Sequence, residues 1–149
     1  MLPGMEASWR TLMPAGWEPA VPFDVCFDAQ YGLDVLPQVS SEDGVVRARV
    51  EVRDELRNHL GELHGGVFAS AAEALASRGT ALAVMPEGRL AMGLSNDTSV
   101  VASPREGAVT IEAQVRARAD DAWVWTVDAH DDAGRLCAHS RVTVAVRAM

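Results

Sequence analysis

The sequence is poor in the features that announce several large classes of protein. Two cysteines in 149 residues, Cys26 and Cys137, are too few and too isolated for a disulfide framework or a thiolate metal cluster. A reducing, cytoplasmic setting is the default expectation. No apolar run is long enough for a membrane-spanning helix. The N-terminus carries Glu6 and is broken by Pro3, Pro14 and Pro19, so it does not read as a signal peptide. Basic blocks are absent as well, and the formal net charge is -8. Binding to a phosphate backbone needs clustered Lys and Arg, which excludes nucleic acid as a partner. A small phosphorylated ligand held by a few local cations stays open. There is no Gly-x-Ser-x-Gly elbow, no P-loop, no Rossmann glycine fingerprint and no paired metal-ligand spacing. These absences argue against a serine-triad hydrolase and leave no reason to expect a metal or a cofactor.

What is present fits one domain with one core, at 48% hydrophobic residues but only 5% aromatic ones. Residues 1–22, rich in Pro, Met and Trp and without periodicity, read as an extended arm or lid preceding a domain over 23–149. Tyr31 to about Val39 reads as a first strand closed by the polar turn Ser40 to Gly44. Strict alternation follows, with Val46, Ala48, Val50 and Val52 on one face and Arg47, Arg49, Glu51 and Arg53 on the other. The pattern recurs at Val109, Ile111, Ala113, Val115 and Ala117, and again at Trp123, Trp125, Val127 and Ala129. Asp131-Asp132-Ala133-Gly134 then supplies a tight turn into a last strand through Val142, Val144 and Val146. Between the strands, Gly65 to about Val84 reads as a helix of small apolar residues in which only Glu73 and Arg78 are charged. A helix apolar on nearly all sides should be buried. One helix wrapped by a curved antiparallel sheet is the simplest α+β arrangement.

Glu73 is the anomaly, because a carboxylate in a mostly apolar helix is costly to desolvate unless something uses it. Its structural alternative is a glutamate where the helix meets solvent or an arginine such as Arg78. His64-Gly65-Gly66 precedes the helix, and the two glycines leave backbone N–H groups unshielded at the positive end of the helix dipole, where a developing oxyanion could be held. His64 either orients substrate and moves a proton or serves as a structural hydrogen-bonding residue. Gly66 and Glu73 are seven residues apart, roughly 10 Å along a helix axis. One carbonyl cannot easily touch both, so a shared site would take its glycine donors from one subunit and Glu73 from another. Ser77 falls one turn beyond Glu73, where its hydroxyl either steadies a water or the carboxylate or bonds back to the helix.

Leu63-His64-Gly65-Gly66 followed by Glu73 resembles the signature of hotdog-fold thioesterases. Asn96-Asp97-Thr98-Ser99, Glu106-Gly107, Trp123-Val124-Trp125 and the run Asp131 to Ala138 resemble the glutamate-type 4-hydroxybenzoyl-coenzyme A thioesterases in particular, over roughly residues 31–147. The resemblance implies a hotdog fold, with the sheet curved around one helix at about residues 65–84, in a homodimer usually paired into a homotetramer with interfacial active sites. It implies hydrolysis of an acyl- or aroyl-coenzyme A thioester without metal or cofactor. Glu73 would be the nucleophile or general base, with the Gly65 N–H polarising the carbonyl, Asn58 supplying a side-chain amide and Ser77 a hydroxyl. Gly66, Thr98, Ser99 and Arg105 would bind substrate. The sequence departs from that pattern at Asp120-Asp121, where small hydroxyl residues are implied, and at Ala102, where a base is implied and Arg105 lies nearby. Two other readings remain: a hotdog hydratase or dehydratase using His64, and a non-catalytic binder of acyl thioesters.

Overall fold

The computed structural model describes residues 13–37 and 44–149. After an irregular segment comes a single-turn helix α1 (Phe27–Gln30), then strands β1 (Asp34–Val35) and β2 (Val45–Glu51), the long helix α2 (Gly65–Val84), and strands β3 (Arg89–Val100), β4 (Ala108–Arg118), β5 (Ala122–Asp131) and β6 (Leu136–Ala148). All six strands form one antiparallel sheet in the order β1-β2-β4-β5-β6-β3. The sheet curls around α2, as expected of a hotdog fold.

Alternation decides which strand faces meet the helix. Val46, Ala48 and Val50 of β2 point inward beside Val109, Ile111 and Ala113 of β4, and Trp123, Trp125, Val127 and Ala129 of β5 continue the same surface. Against it lie Phe68, Ala71, Ala72, Leu75 and Ala76 of α2, all buried. The small residues of α2 serve close approach. A Cβ added at Gly79 would lie 2.5 Å from Cη2 of Trp125, so only glycine lets the helix rest on that indole. The Trp125 Nε1–H donates to Thr80 Oγ1 at 2.9 Å, and that hydroxyl donates to the Ala76 carbonyl at 2.9 Å. The buried polar groups between helix and sheet are thereby satisfied. At the other end of β5, the Asp131 carboxylate accepts the N–H groups of Ala133 and Arg135, at 3.0 and 2.9 Å, and Gly134 takes a φ of 81°. The turn legible in the sequence is built that way.

Two expectations change. The strand foreseen from Tyr31 to about Val39 is reduced to Asp34–Val35, because Tyr31 and Gly32 turn instead, with Gly32 at a φ of 74°. Its continuation and most of the foreseen turn, residues 38–43, lie outside the described residues, as do residues 1–12 of the arm. Strand β3, twelve residues long, was not foreseen from alternation. It is the sheet's edge and mostly exposed on both faces, so no two-residue hydrophobic period marks it.

Candidate active site

The start of α2 is positioned by a loop that closes on Asn58. Its Oδ1 accepts the N–H groups of Leu60 and Glu62 at 2.9 and 3.2 Å, and its own N–H donates to the Glu62 carbonyl at 2.7 Å. The Leu63 N–H donates to the Pro104 carbonyl and the His64 N–H to the Leu56 carbonyl, fixing where the helix begins. His64 is the N-cap. Its Nδ1 accepts the Gly66 N–H at 2.9 Å, and its carbonyl accepts the Val67 N–H at 3.0 Å. Among the described residues these bonds leave the Gly65 N–H unclaimed, half-buried at the positive end of the helix. Gly66 is therefore a capping position rather than a second free donor. A Cβ there would lie 2.9 Å from the His64 ring nitrogen.

This assignment makes His64 a structural residue with a testable signature. Asparagine is a preferred N-cap, so His64→Asn should keep both the helix and most of the activity. His64→Ala should lower stability by about 0.5–2 kcal/mol. Melting temperature and kcat measured on both variants check this, and a matched loss of kcat in both would mean the imidazole does chemistry.

Eight residues into α2, Glu73 projects into solvent rather than into the core, and its carboxylate lies over Gly93 of β3. Its position is that of the alternative foreseen, a glutamate where the helix meets solvent, and not of a desolvated carboxylate. It stands where the helix passes under the sheet's edge strand, and the buried charge of the helix is Arg78, 8% exposed. The Tyr31 hydroxyl donates to Asp28 Oδ1 at 2.8 Å. Burial lowers the Arg78 pKa, against the pull of the Asp28 carboxylate. Burial likewise raises that of Asp28, offset by the Tyr31 bond and by Arg78. Burial and then the carboxylate of Asp28 push the Tyr31 phenol far up, with Cys26 and Glu73 adding to it, so Tyr31 stays a donor. Sequence reasoning missed this Asp28–Tyr31–Arg78 cluster because Arg78 lies far along the chain from the neighbouring Asp28 and Tyr31, and no periodicity links them.

Gly93 was also missed, although a glycine inside a strand often marks a close approach. An added Cβ would come within 3.2 Å of the Glu73 carboxyl carbon and closer still to Oε1. The flexible carboxylate, not the backbone, would give way. Gly93→Ala should therefore displace Glu73 while the strand stays paired, and if Glu73 acts on substrate, a misplacement of that kind should cost on the order of 10²-fold in turnover. Steady-state kinetics together with a thermal melt separate this from unfolding.

The remaining candidates divide. Ser77 sits half-buried one turn beyond Glu73. Thr98 is engaged in a structural chain: the Asn96 Nδ2 donates to the Ala69 carbonyl at 2.9 Å, the Thr98 hydroxyl donates to Asn96 Oδ1 at 2.7 Å, and Thr98 and Ser140 share a bond of 2.7 Å. This ties β3 to both α2 and β6. Ser99 is exposed. Arg105 donates to the Leu60 carbonyl at 2.7 Å and lies 3.5 Å from Glu62, so it braces the Asn58 loop. At Asp120-Asp121 the backbone carbonyls accept from Arg89 and Arg147, at 3.0 and 2.9 Å, bringing two guanidinium groups to a segment that reads as purely acidic in sequence.

A helix opening on an unclaimed N–H, with a carboxylate farther along it and a curled sheet around it, is an arrangement suited to a polarised carbonyl. The sequence profile of the thioesterase superfamily matches residues 60–138. The 1,4-dihydroxy-2-naphthoyl-CoA hydrolase of Listeria monocytogenes is 33% identical over 109 residues, covering 73% of this chain and 88% of that one. The enzyme of the same name from Escherichia coli is 31% identical over 104 residues, 70% of this chain and 76% of its own. Among solved structures, a thioesterase from Haemophilus influenzae superposes with a TM-score of 0.73 at 26% identity, covering 80% of each chain. A mutant thioesterase from Pseudomonas aeruginosa reaches 0.81 at 22% identity, over 100% of this chain and 95% of that one, a likeness of fold. The chain belongs to the thioesterase superfamily. It is a hotdog-fold thioester hydrolase.

Proposed function

We propose that this enzyme hydrolyses acyl- or aroyl-coenzyme A thioesters, with Glu73 acting on a carbonyl polarised by the Gly65 N–H of a second subunit. The observation that carries this reading is the unclaimed Gly65 donor on the same helix as an exposed Glu73. The two are eight residues apart, about 12 Å along the axis. A single carbonyl touches both only if they come from different copies. The edge strand supports such pairing: β3 is bonded to β6 on one side, ends the sheet on the other, and exposes Met92 and Leu94. A long edge with apolar side chains is a template for a second strand, and two-fold pairing would set each Glu73 beside its partner's helix start.

In that geometry the Gly65 N–H, aimed along the helix dipole, stabilises the oxygen that becomes negative as the carbonyl is attacked. The Asn58 Nδ2, not used by the loop bonds to Oδ1, is the second donor. Glu73 either attacks the carbonyl to form a mixed anhydride or takes a proton from the attacking water. Ser77 holds the water or the carboxylate. The coenzyme A assignment is supported by the names of the relatives, and by Arg147, which brings a positive charge to the acidic pair Asp120-Asp121, whereas Arg89 beside it is paired with Glu87 at 2.7 Å. The hydratase reading needs a basic imidazole nitrogen facing substrate. With the Nδ1 lone pair of His64 committed to Gly66, the neutral ring offers Nε2–H, a donor.

The test is a panel of benzoyl, phenylacetyl, short and medium acyl thioesters, each as the coenzyme A and the bare pantetheine conjugate, followed by release of free thiol. Turnover with a preference for the coenzyme A form is the expected result. Binding of panel members with no turnover of any would overturn the reading in favour of a non-catalytic binder.

A further inference from the structure

At the C-terminal end of α2 lies a cavity of about 360 Å³ lined by Met13, Trp17, Phe23, Ala81, Met85, Leu90 and Ala91. Its volume falls within the ~300–1,000 Å³ typical of small-molecule sites. None of its lining side chains carries a charge or a hydroxyl, and the one polar side-chain atom among them is the Trp17 indole nitrogen. The floor is the C-terminal part of α2 and the first residues of β3. The outer wall is the arm together with Phe23 just after it, where the rings of Trp17 and Phe23 stand 6.3 Å apart at 58° and the backbone N–H of Trp17 donates to the Pro14 carbonyl at 3.0 Å. Met13, Trp17 and Phe23 lie outside the residues that the family profile matches.

The cavity is placed to receive something attached to the carbonyl at Glu73. Ala91 precedes Gly93 by two residues, so it faces the same side of β3 about 7 Å from the point where the carboxylate rests. Ala81 follows Glu73 by eight residues, about 12 Å along α2, with half-buried Ser77 between them. An extended chain advances about 1.2 Å per bond, so roughly six to ten atoms are needed to enter the cavity and fill it. A benzoyl ring bonded directly to the carbonyl ends too soon. An aroyl group carrying hydroxyls would bury them among side chains that offer almost nothing to bond.

We infer that the N-terminal arm closes an acyl-chain cavity with Trp17 and Phe23, making this chain selective for medium-chain aliphatic acyl thioesters, hexanoyl to decanoyl. The inference rests on the thioesterase reading above and specifies its substrate class. Each methylene that enters such a cavity is worth about fourfold in binding, so selectivity should climb steeply once the chain is long enough to reach Ala91 and level off when the space is full.

The test is kcat/KM of the full chain on straight-chain acyl-coenzyme A substrates from acetyl to dodecanoyl, with benzoyl-coenzyme A alongside, repeated for Trp17→Ala and Phe23→Ala. The wild type should be best between hexanoyl and decanoyl, at least tenfold above acetyl and benzoyl. Both variants should lose that preference, falling about tenfold more on octanoyl than on acetyl, mainly through KM, with melting curves confirming the fold. A flat chain-length profile, a preference for benzoyl, or variants that scale every substrate equally would overturn the cavity assignment while leaving the thioesterase intact. Failure to hydrolyse any member would overturn the thioesterase reading and this one with it.

Discussion

Glu73→Gln should reduce thioester turnover by about 10²–10⁴-fold, the range for losing a positioned acid–base group, and leave the fold unchanged. The second half of that expectation follows from where the residue is. Glu73 is exposed, and its carboxylate lies over Gly93 rather than inside the core. Glutamine keeps the volume and the reach but neither attacks a carbonyl nor takes a proton from water. Substitutions at exposed positions without structural partners shift stability by only about 0.5 kcal/mol. If the carboxylate acts on the reacting carbonyl, as proposed, and does little for the bound ground state, the effect should sit in kcat. A melting temperature matched to wild type, with kcat down and KM little changed, is the pattern to measure.

The second large effect is expected from Gly65→Pro, a substitution that removes one hydrogen-bond donor and little else. Gly65 is the first residue of α2, where proline's fixed φ suits the helix and its missing N–H is not needed for helical bonding. The preceding residue, His64, already has φ -62° and ψ 134°, the extended conformation that proline demands before it. A Cβ at position 65 would meet Val100 Cγ2 at 3.3 Å, a contact that a shift of a few tenths of an ångström relieves. The helix should form as before. If the Gly65 N–H holds the developing oxyanion, its removal should cost about 10²–10³-fold in kcat. Gly65→Ala, with the same Val100 contact but an intact N–H, is the control and should retain most of the turnover.

Much of this architecture was legible in the chain. The helix runs from Gly65 to Val84 as its small-residue composition indicated, and β2, β4 and β5 lie where alternation placed them. Those elements face one core, so the side-chain period reports burial directly. Strand β3 failed that test because an edge strand in an isolated protomer buries neither face, and its apolar residues Met92 and Leu94 are left exposed among the described residues. Tyr31 misled in the opposite direction. It is buried, but as the hydroxyl donor to Asp28 beneath α1 rather than as a strand residue. For the candidate site, the sequence supplied residue types to propose but not their geometry. Composition showed that α2 is buried on most sides but not where it emerges, so Glu73 was expected to be desolvated and Arg78 was not. The division of labour at the helix start, with His64 taking the Gly66 N–H and leaving that of Gly65, depends on a ring orientation that no spacing encodes.

The central claim is that one subunit's Glu73 works on a carbonyl held by the other's Gly65, and mixing the two inactive variants tests it most directly. In a hybrid of a Glu73→Gln subunit with a Gly65→Pro subunit, one of the two composite sites has lost both groups, while the other keeps an intact Glu73 facing an intact Gly65. Co-expression in equal amounts should make half of the dimers hybrid and restore about a quarter of wild-type turnover. Activity that stays at the level of the separate variants, in a sample shown by differential tagging to contain the hybrid, would contradict the shared site.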